Sequence, residues 1–152
     1  MTDYMKGDFN MSVKQISVFI ENKSGKLAEV TNYIAEHNIN LKALSVADTQ
    51  DFGILRIICE NHEQAVCALK DGGYVINETE VLAVEISDKP GSLAKVLNIL
   101  SESNVVVEYT YAFLSVKNAG HAYMIFRVDD NAVAAAALNS EGIQVLSDSK
   151  LF

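Results

Sequence analysis

The stretch ENKSGKLAEVTNYIAEHNINL, starting at Glu21, returns later as SDKPGSLAKVLNILSESNVVV, starting at Ser87. Gly25 corresponds to Gly91, Leu27 to Leu93, Ala28 to Ala94, Val30 to Val96 and Asn38 to Asn104, with the 66 positions between Gly25 and Gly91 kept throughout. A match of this length means one structural unit built twice. A chain of 152 residues would otherwise read as a single domain. The repeat divides it instead into an N-terminal arm (1–12), a first domain (13–79) and a second domain (80–152). Any site made by the repeated turn is expected twice.

The pattern around the repeat supplies the element order. Val13–Glu21 alternates, with Ile16, Val18 and Ile20 on one face, and reads as a strand. Asn22–Gly25 is a turn, and Ser24 or a neighbouring polar side chain is placed to cap a helix running to about His37. Leu27, Val30, and Tyr33 or Ile34, form the apolar stripe of that helix. A strand over Ile39–Thr49, the turn QDFG and a strand over Ile54–Cys59 follow as a hairpin. Asn61 is the expected cap of a short helix that stops near Gly72 and Gly73, and Tyr74–Ile76 is a short fourth strand. The second half repeats this with Val81–Ser87, Ser92–Ser103, Val105–Val116, Ala122–Val128, Asn131–Leu138 and Gln144–Leu146. By Gly73 and Gly142 the correspondence has slipped by a few residues, as hairpin tips allow. The fold class is therefore α+β: two tandem ferredoxin-like βαββαβ domains, each an antiparallel sheet with both helices on one face. Only Asn77–Glu80 is left as a linker.

Composition removes several function classes. The net charge is −8 and no basic stripe interrupts it, which argues against nucleic acid and anionic membranes as partners. No apolar run approaches the ~20 residues that span a bilayer, and the polar start MTDYMKGDFNM lacks a signal-peptide core. A cytoplasmic location is the expectation. Cys59 and Cys67 fit neither a redox pair nor a zinc pattern and read as buried free thiols. His37, His62 and His121 share no ligand spacing, so no metal is expected.

At Asn22–Leu27 and Asp88–Leu93 the chain leaves a strand and enters a helix through a glycine. The first N–H groups of a helix lack internal partners and favour a carboxylate. Glycine lets a ligand approach the main chain there. Asn22 or Asp88 offers an oxygen to an ammonium, and Lys23, Lys26 and Lys89 add positive charge. The set suits a zwitterion; the same residues also suit a tight strand-to-helix bend with no ligand at all.

The pattern [ND]-x-x-G-x-L-A-x-[VL], then N-[IV], resembles the ACT domain, the small regulatory module of amino-acid metabolism. Asn22–Val30 with Asn38-Ile39 and Asp88–Val96 with Asn104-Val105 carry it in both halves. The resemblance implies sheets that pair side by side and a small ligand, usually an amino acid, bound at the pair interface. Carried over, one site uses Asn22, Ser24, Gly25, Lys26 and Leu27 with Val107, Glu108 and Tyr109 opposite. Its twin uses Asp88, Pro90, Gly91, Ser92 and Leu93 with Leu41, Lys42 and Ala43. The domains pair within one chain or between chains, and one or both sites are used; the sequence leaves these open. The sites differ, because Asp88 replaces Asn22, and Tyr109 and Tyr111 stand where Ala43 and Ser45 leave room. Tyr109 serves equally as a wall of the pocket or as a sheet-packing residue.

The function implied is a non-catalytic amino-acid sensor, with no cofactor beyond its ligand, forming homo-oligomers through its sheets and regulating a metabolic enzyme. A second reading takes the chain as the regulatory subunit of an acetolactate synthase, whose first domain Glu21–Gly53 resembles. A third is a small enzyme on a ferredoxin-like scaffold. No nucleophile–base set, phosphate loop or carboxylate pair supports that third reading.

Overall fold

A computed structural model describes residues 12–49, 51–114 and 116–152. The arm expected over 1–12 lies outside them except for Ser12, which opens the first strand. The elements run β1 (Ser12–Glu21), α1 (Lys26–Glu36), β2 (Leu41–Asp48), β3 (Phe52–Cys59), α2 (His62–Asp71), β4 (Val75–Ser87), α3 (Ser92–Glu102), β5 (Val107–Ala112), β6 (His121–Val128), α4 (Asn131–Ser140), β7 (Gln144–Leu146) and α5 (Asp148–Leu151). The chain forms two compact units, one holding Lys14–Thr79 and the other holding Glu80–Phe152.

In the first unit β3 lies between β2 and β1, antiparallel to both, and β4 is the next strand beyond β1. Ile16 faces Ile57 and Val18 faces Leu55 across β1 and β3. These side chains, with Val30 and Ile34 of α1 and Ala65 and Leu69 of α2, make a closed apolar core. Helix periodicity explains the choice: the buried residues of α1 recur four apart on one stripe. The second unit repeats the plan in the order β5-β6-β4-β7. Leu82, Val84, Val96, Leu100, Phe126 and Leu138 occupy equivalent places in its core. This is the α+β, ferredoxin-like arrangement expected from the repeat.

Several boundaries differ from the sequence expectation, each for a local reason. Asn38 and Asn104 take left-handed φ values of 57° and 58° and end their helices. Their successors then donate back, Ile39 N to Ile34 O at 3.3 Å and Val105 N to Leu100 O at 2.9 Å. Those amides are thereby unavailable to a sheet ladder, and β2 and β5 begin two residues later. Val106 N is likewise taken, by Asp129 Oδ1 at 2.9 Å. The expected linker Asn77–Glu80 is extended backbone within β4, which runs unbroken from Val75 to Ser87. Its β-branched residues Val75, Ile76, Thr79 and Val81 favour that conformation. The short α5 was not anticipated. Its one buried side chain is Leu151.

Candidate ligand-binding bends

The two bends share their backbone dihedrals and the hydrogen bonds that close the turn. Gly25 has φ 86° and ψ −9°, and Gly91 has φ 89° and ψ −9°. Lys23 N donates to Glu21 O and Lys89 N to Ser87 O, both at 2.9 Å. Glu29 N donates to Gly25 O and Lys95 N to Gly91 O, again both at 2.9 Å. The left-handed glycine reverses the chain in one residue, a conformation that side-chain-bearing residues adopt only under strain. No side chain caps either helix, so the cap expected of Ser24 is not made. Among the described residues, nothing accepts a hydrogen bond from the N–H groups of Leu27, Ala28, Leu93 or Ala94. Each helix thus presents open donors at its positive end. A Cβ placed on Gly25 or Gly91 meets no atom within 4 Å, so neither bend is covered by its own unit.

The side chains around the bends have diverged. Asn22 Nδ2 donates to Asp48 Oδ1 at 2.8 Å, leaving its own oxygen available. Lys23 Nζ sits 2.9 Å from Glu21 Oε2, and Lys26 Nζ sits 3.3 Å from Glu29 Oε2. The Lys23 hydrogen bond and charge hold the Glu21 carboxyl below its usual range. The hydrogen bond to Glu29 and the carboxylate's charge hold the Lys26 ammonium above its usual range. The first bend is therefore less cationic than its lysines suggest. At the second bend Asp88, Pro90 and Ser92 carry no described side-chain partner, and Asp88 N donates to Gly120 O at 2.8 Å. Ser24, Gly25, Pro90 and Gly91 are exposed, and Leu27 and Leu93 are 39% and 36% exposed.

The strand starts carry a matching irregularity. The ladder slips between Leu41 and Ala43 and again between Val107 and Tyr109. Lys42 and Glu108 are the extra residues at these slips, and such bulges re-aim side chains. Leu41 and Lys42 are half-buried and Ala43 is buried. Val107 and Tyr109 are half-buried, and Glu108 Oε2 lies 3.0 Å from Arg127 Nε. The Tyr109 and Tyr111 rings stack with centroids 6.4 Å apart. Within a unit the bend and the strand start do not meet. Asn22 bonds Asp48 at the end of β2, whereas Leu41 pairs with Cys59 at the opposite end of the sheet.

The cysteine expectation holds for Cys59 alone. Burial pushes its thiol up to about 12, while Cys67 lies exposed on α2 because the apolar stripe of that helix passes through Ala65, Val66 and Leu69 instead. Among the described residues no cluster of His, Cys, Asp and Glu is suited to a metal. No described helix is long and apolar enough to cross a membrane.

The ACT domain pair family matches residues 11–152, nearly the whole chain. The chain belongs to that family. Protein BT0572 from Bacteroides thetaiotaomicron has a similar crystal structure, with 40% identity, a TM-score of 0.84, and coverage of 92% of this chain and 95% of that one. The ligand-free regulatory subunit of aspartate kinase from Thermus thermophilus superposes with a TM-score of 0.62 at 16% identity, covering 85% of this chain and 90% of its own. Its counterpart from Thermus flavus gives 0.59 at 15% identity, over 84% and 90%. These two share the fold. No curated protein matches. As an ACT domain pair, the chain carries the domain's glycine bend twice, at Gly25 and Gly91.

Proposed function

We propose that this ACT domain pair is a non-catalytic sensor that binds an amino acid and passes its presence to a metabolic enzyme. The observation that carries the reading is the pair of congruent, uncovered glycine bends, each with free helix N–H donors for a carboxylate. A bend and a strand start lie at opposite ends of one sheet, so a pocket built from both requires two domains. Asn22, Ser24, Gly25, Lys26 and Leu27 would meet Val107, Glu108 and Tyr109, and Asp88, Pro90, Gly91, Ser92 and Leu93 would meet Leu41, Lys42 and Ala43. A ligand held between domains stabilises their association and so biases oligomeric state. Similarity to subunits named as regulatory for aspartate kinase supports a protein partner of that kind. An acetolactate synthase as partner instead would appear as co-purification with a large thiamine-dependent enzyme.

The test is a thermal-shift screen over the proteinogenic amino acids. At least one is expected to raise the melting temperature, and at about 100 times Kd the stabilisation is about 2.7 kcal/mol. Absence of any shift at millimolar concentrations overturns the sensor reading.

A further inference from the structure

The repeat duplicates more than the bends. Where the end of β1 parts from the start of β4, over the first turn of α1, the first unit has a cleft of about 170 Å³. Phe19, Glu21, Lys26, Glu29 and Val75 are among its walls. The second unit has the corresponding cleft, of about 400 Å³, with Glu85, Ser87, Ser92, Lys95 and Gln144 at the matching positions. His121 adds to it, pairing with Ser87 as Phe52 pairs with Glu21.

One backbone template thus carries two chemistries. In the first unit Lys26 and Glu29 neutralise each other, and Phe19, Phe52 and Val75 make the surroundings apolar. In the second unit those three apolar positions are Glu85, His121 and Gln144. Asn118 Nδ2 donates to Glu85 Oε1 at 2.6 Å, and with the Gln144 amide turned so that its nitrogen faces Glu85, that nitrogen donates to Oε2 at 3.1 Å. The Gln144 oxygen in turn accepts from Lys150 Nζ at 3.3 Å. Lys95 has no ion-pair partner among the described residues, although the chain is acidic overall. His121 Nδ1 lies 3.2 Å from the Ala119 carbonyl, which can only accept, so Nδ1 carries a proton, and in the neutral form of the ring Nε2 is left as an acceptor. The cleft therefore offers donors at Lys95, Ser87 and Ser92, and acceptors at His121 Nε2 and Glu85.

We propose that this cleft of the second unit binds a small monocarboxylate bearing an adjacent hydroxyl or amine. Lys95 and the two serine hydroxyls receive the carboxylate, and the neighbouring donor turns to His121 and Glu85. A phosphate dianion fits worse, because its second negative charge is repelled by Glu85. This site is separate from the bends, sharing with them only Ser92.

The experiment titrates the full-length ¹⁵N-labelled protein with sodium lactate and, separately, with glycine at constant ionic strength, with sodium phosphate as a comparison. The amide signals of Gly142 and Gln144 report the cleft, and those of Gly25 and Gly91 report the bends. Saturable shifts at the cleft signals are expected with lactate, glycine or both, and which of them acts distinguishes a hydroxy acid from an amino acid. Lys95→Ala should weaken the apparent affinity about tenfold, as loss of a charged hydrogen bond does, while Lys70→Ala leaves it unchanged. Both variants are surface changes whose folding the same spectra verify. No saturation with either probe, equal shifts in Lys95→Ala, or equal binding of phosphate overturns the proposal. Shifts confined to Gly25 and Gly91 also overturn it while leaving the sensor reading intact.

Discussion

Asn38 and Asn104 hold φ near +57°, a region that costs most L-residues roughly 1–2 kcal/mol. Asparagine tolerates it, and glycine more so. Asn38→Ala should therefore destabilise the protein by about 1 kcal/mol in urea unfolding, and Asn38→Gly should not. The paired asparagines were legible in the repeat because a backbone requirement is written in a single residue type. Gly72 was legible only as a helix stop. A Cβ on it would come within 2.6 Å of the Tyr33 ring, whose hydroxyl donates to Ala68 O at 2.5 Å. That contact joins residues far apart in the chain, and no local pattern announces it. The thiols divide on the same ground, since burial depends on which helical face meets the sheet. Native protein should react with a thiol reagent at Cys67 alone. Cys59, its thiol raised to about 12 inside the core, should react only after unfolding.

Each unit's second helix starts at an equivalent cap residue, yet only one caps in the usual way. Asp130 accepts from Val133 N at 3.1 Å, whereas the Asn61 amide turns to Gln64 Oε1 at 2.9 Å. Asp130→Ala should lower the melting midpoint by an amount equivalent to about 1 kcal/mol, and Asn61→Ala by distinctly less. Sequence spacing placed the Asn61 cap correctly but did not say whether its side chain would bond the backbone. Element types followed from periodicity except at the short α5. Strand ends did not, because Ile39, Val105 and Val106 spend their amides on helix ends and a side chain before any ladder begins.

On the sensor reading, two ACT domains in one chain allow one ligand or two. Gly25→Val and Gly91→Val each force a side chain into a left-handed bend without meeting any neighbour, so each should damage one bend locally. If both bends are used, titration calorimetry should show one ligand fewer per chain in either variant. If one dominates, a single variant abolishes binding. A result in which neither variant changes binding removes the bends from consideration. The bends themselves were readable from the repeat. The twin clefts were not, because they join the start of the helix to a strand some 50 positions away, as Ser92 to Gln144.

The slips at Lys42 and Glu108 give one template an opposite sign at the same place. A residue outside the ladder can change charge without disturbing any rung, so natural variation can retune what such a module recognises while its scaffold stays fixed. A duplicated module of this kind is free to let one copy drift toward a new metabolite as its sibling keeps the old.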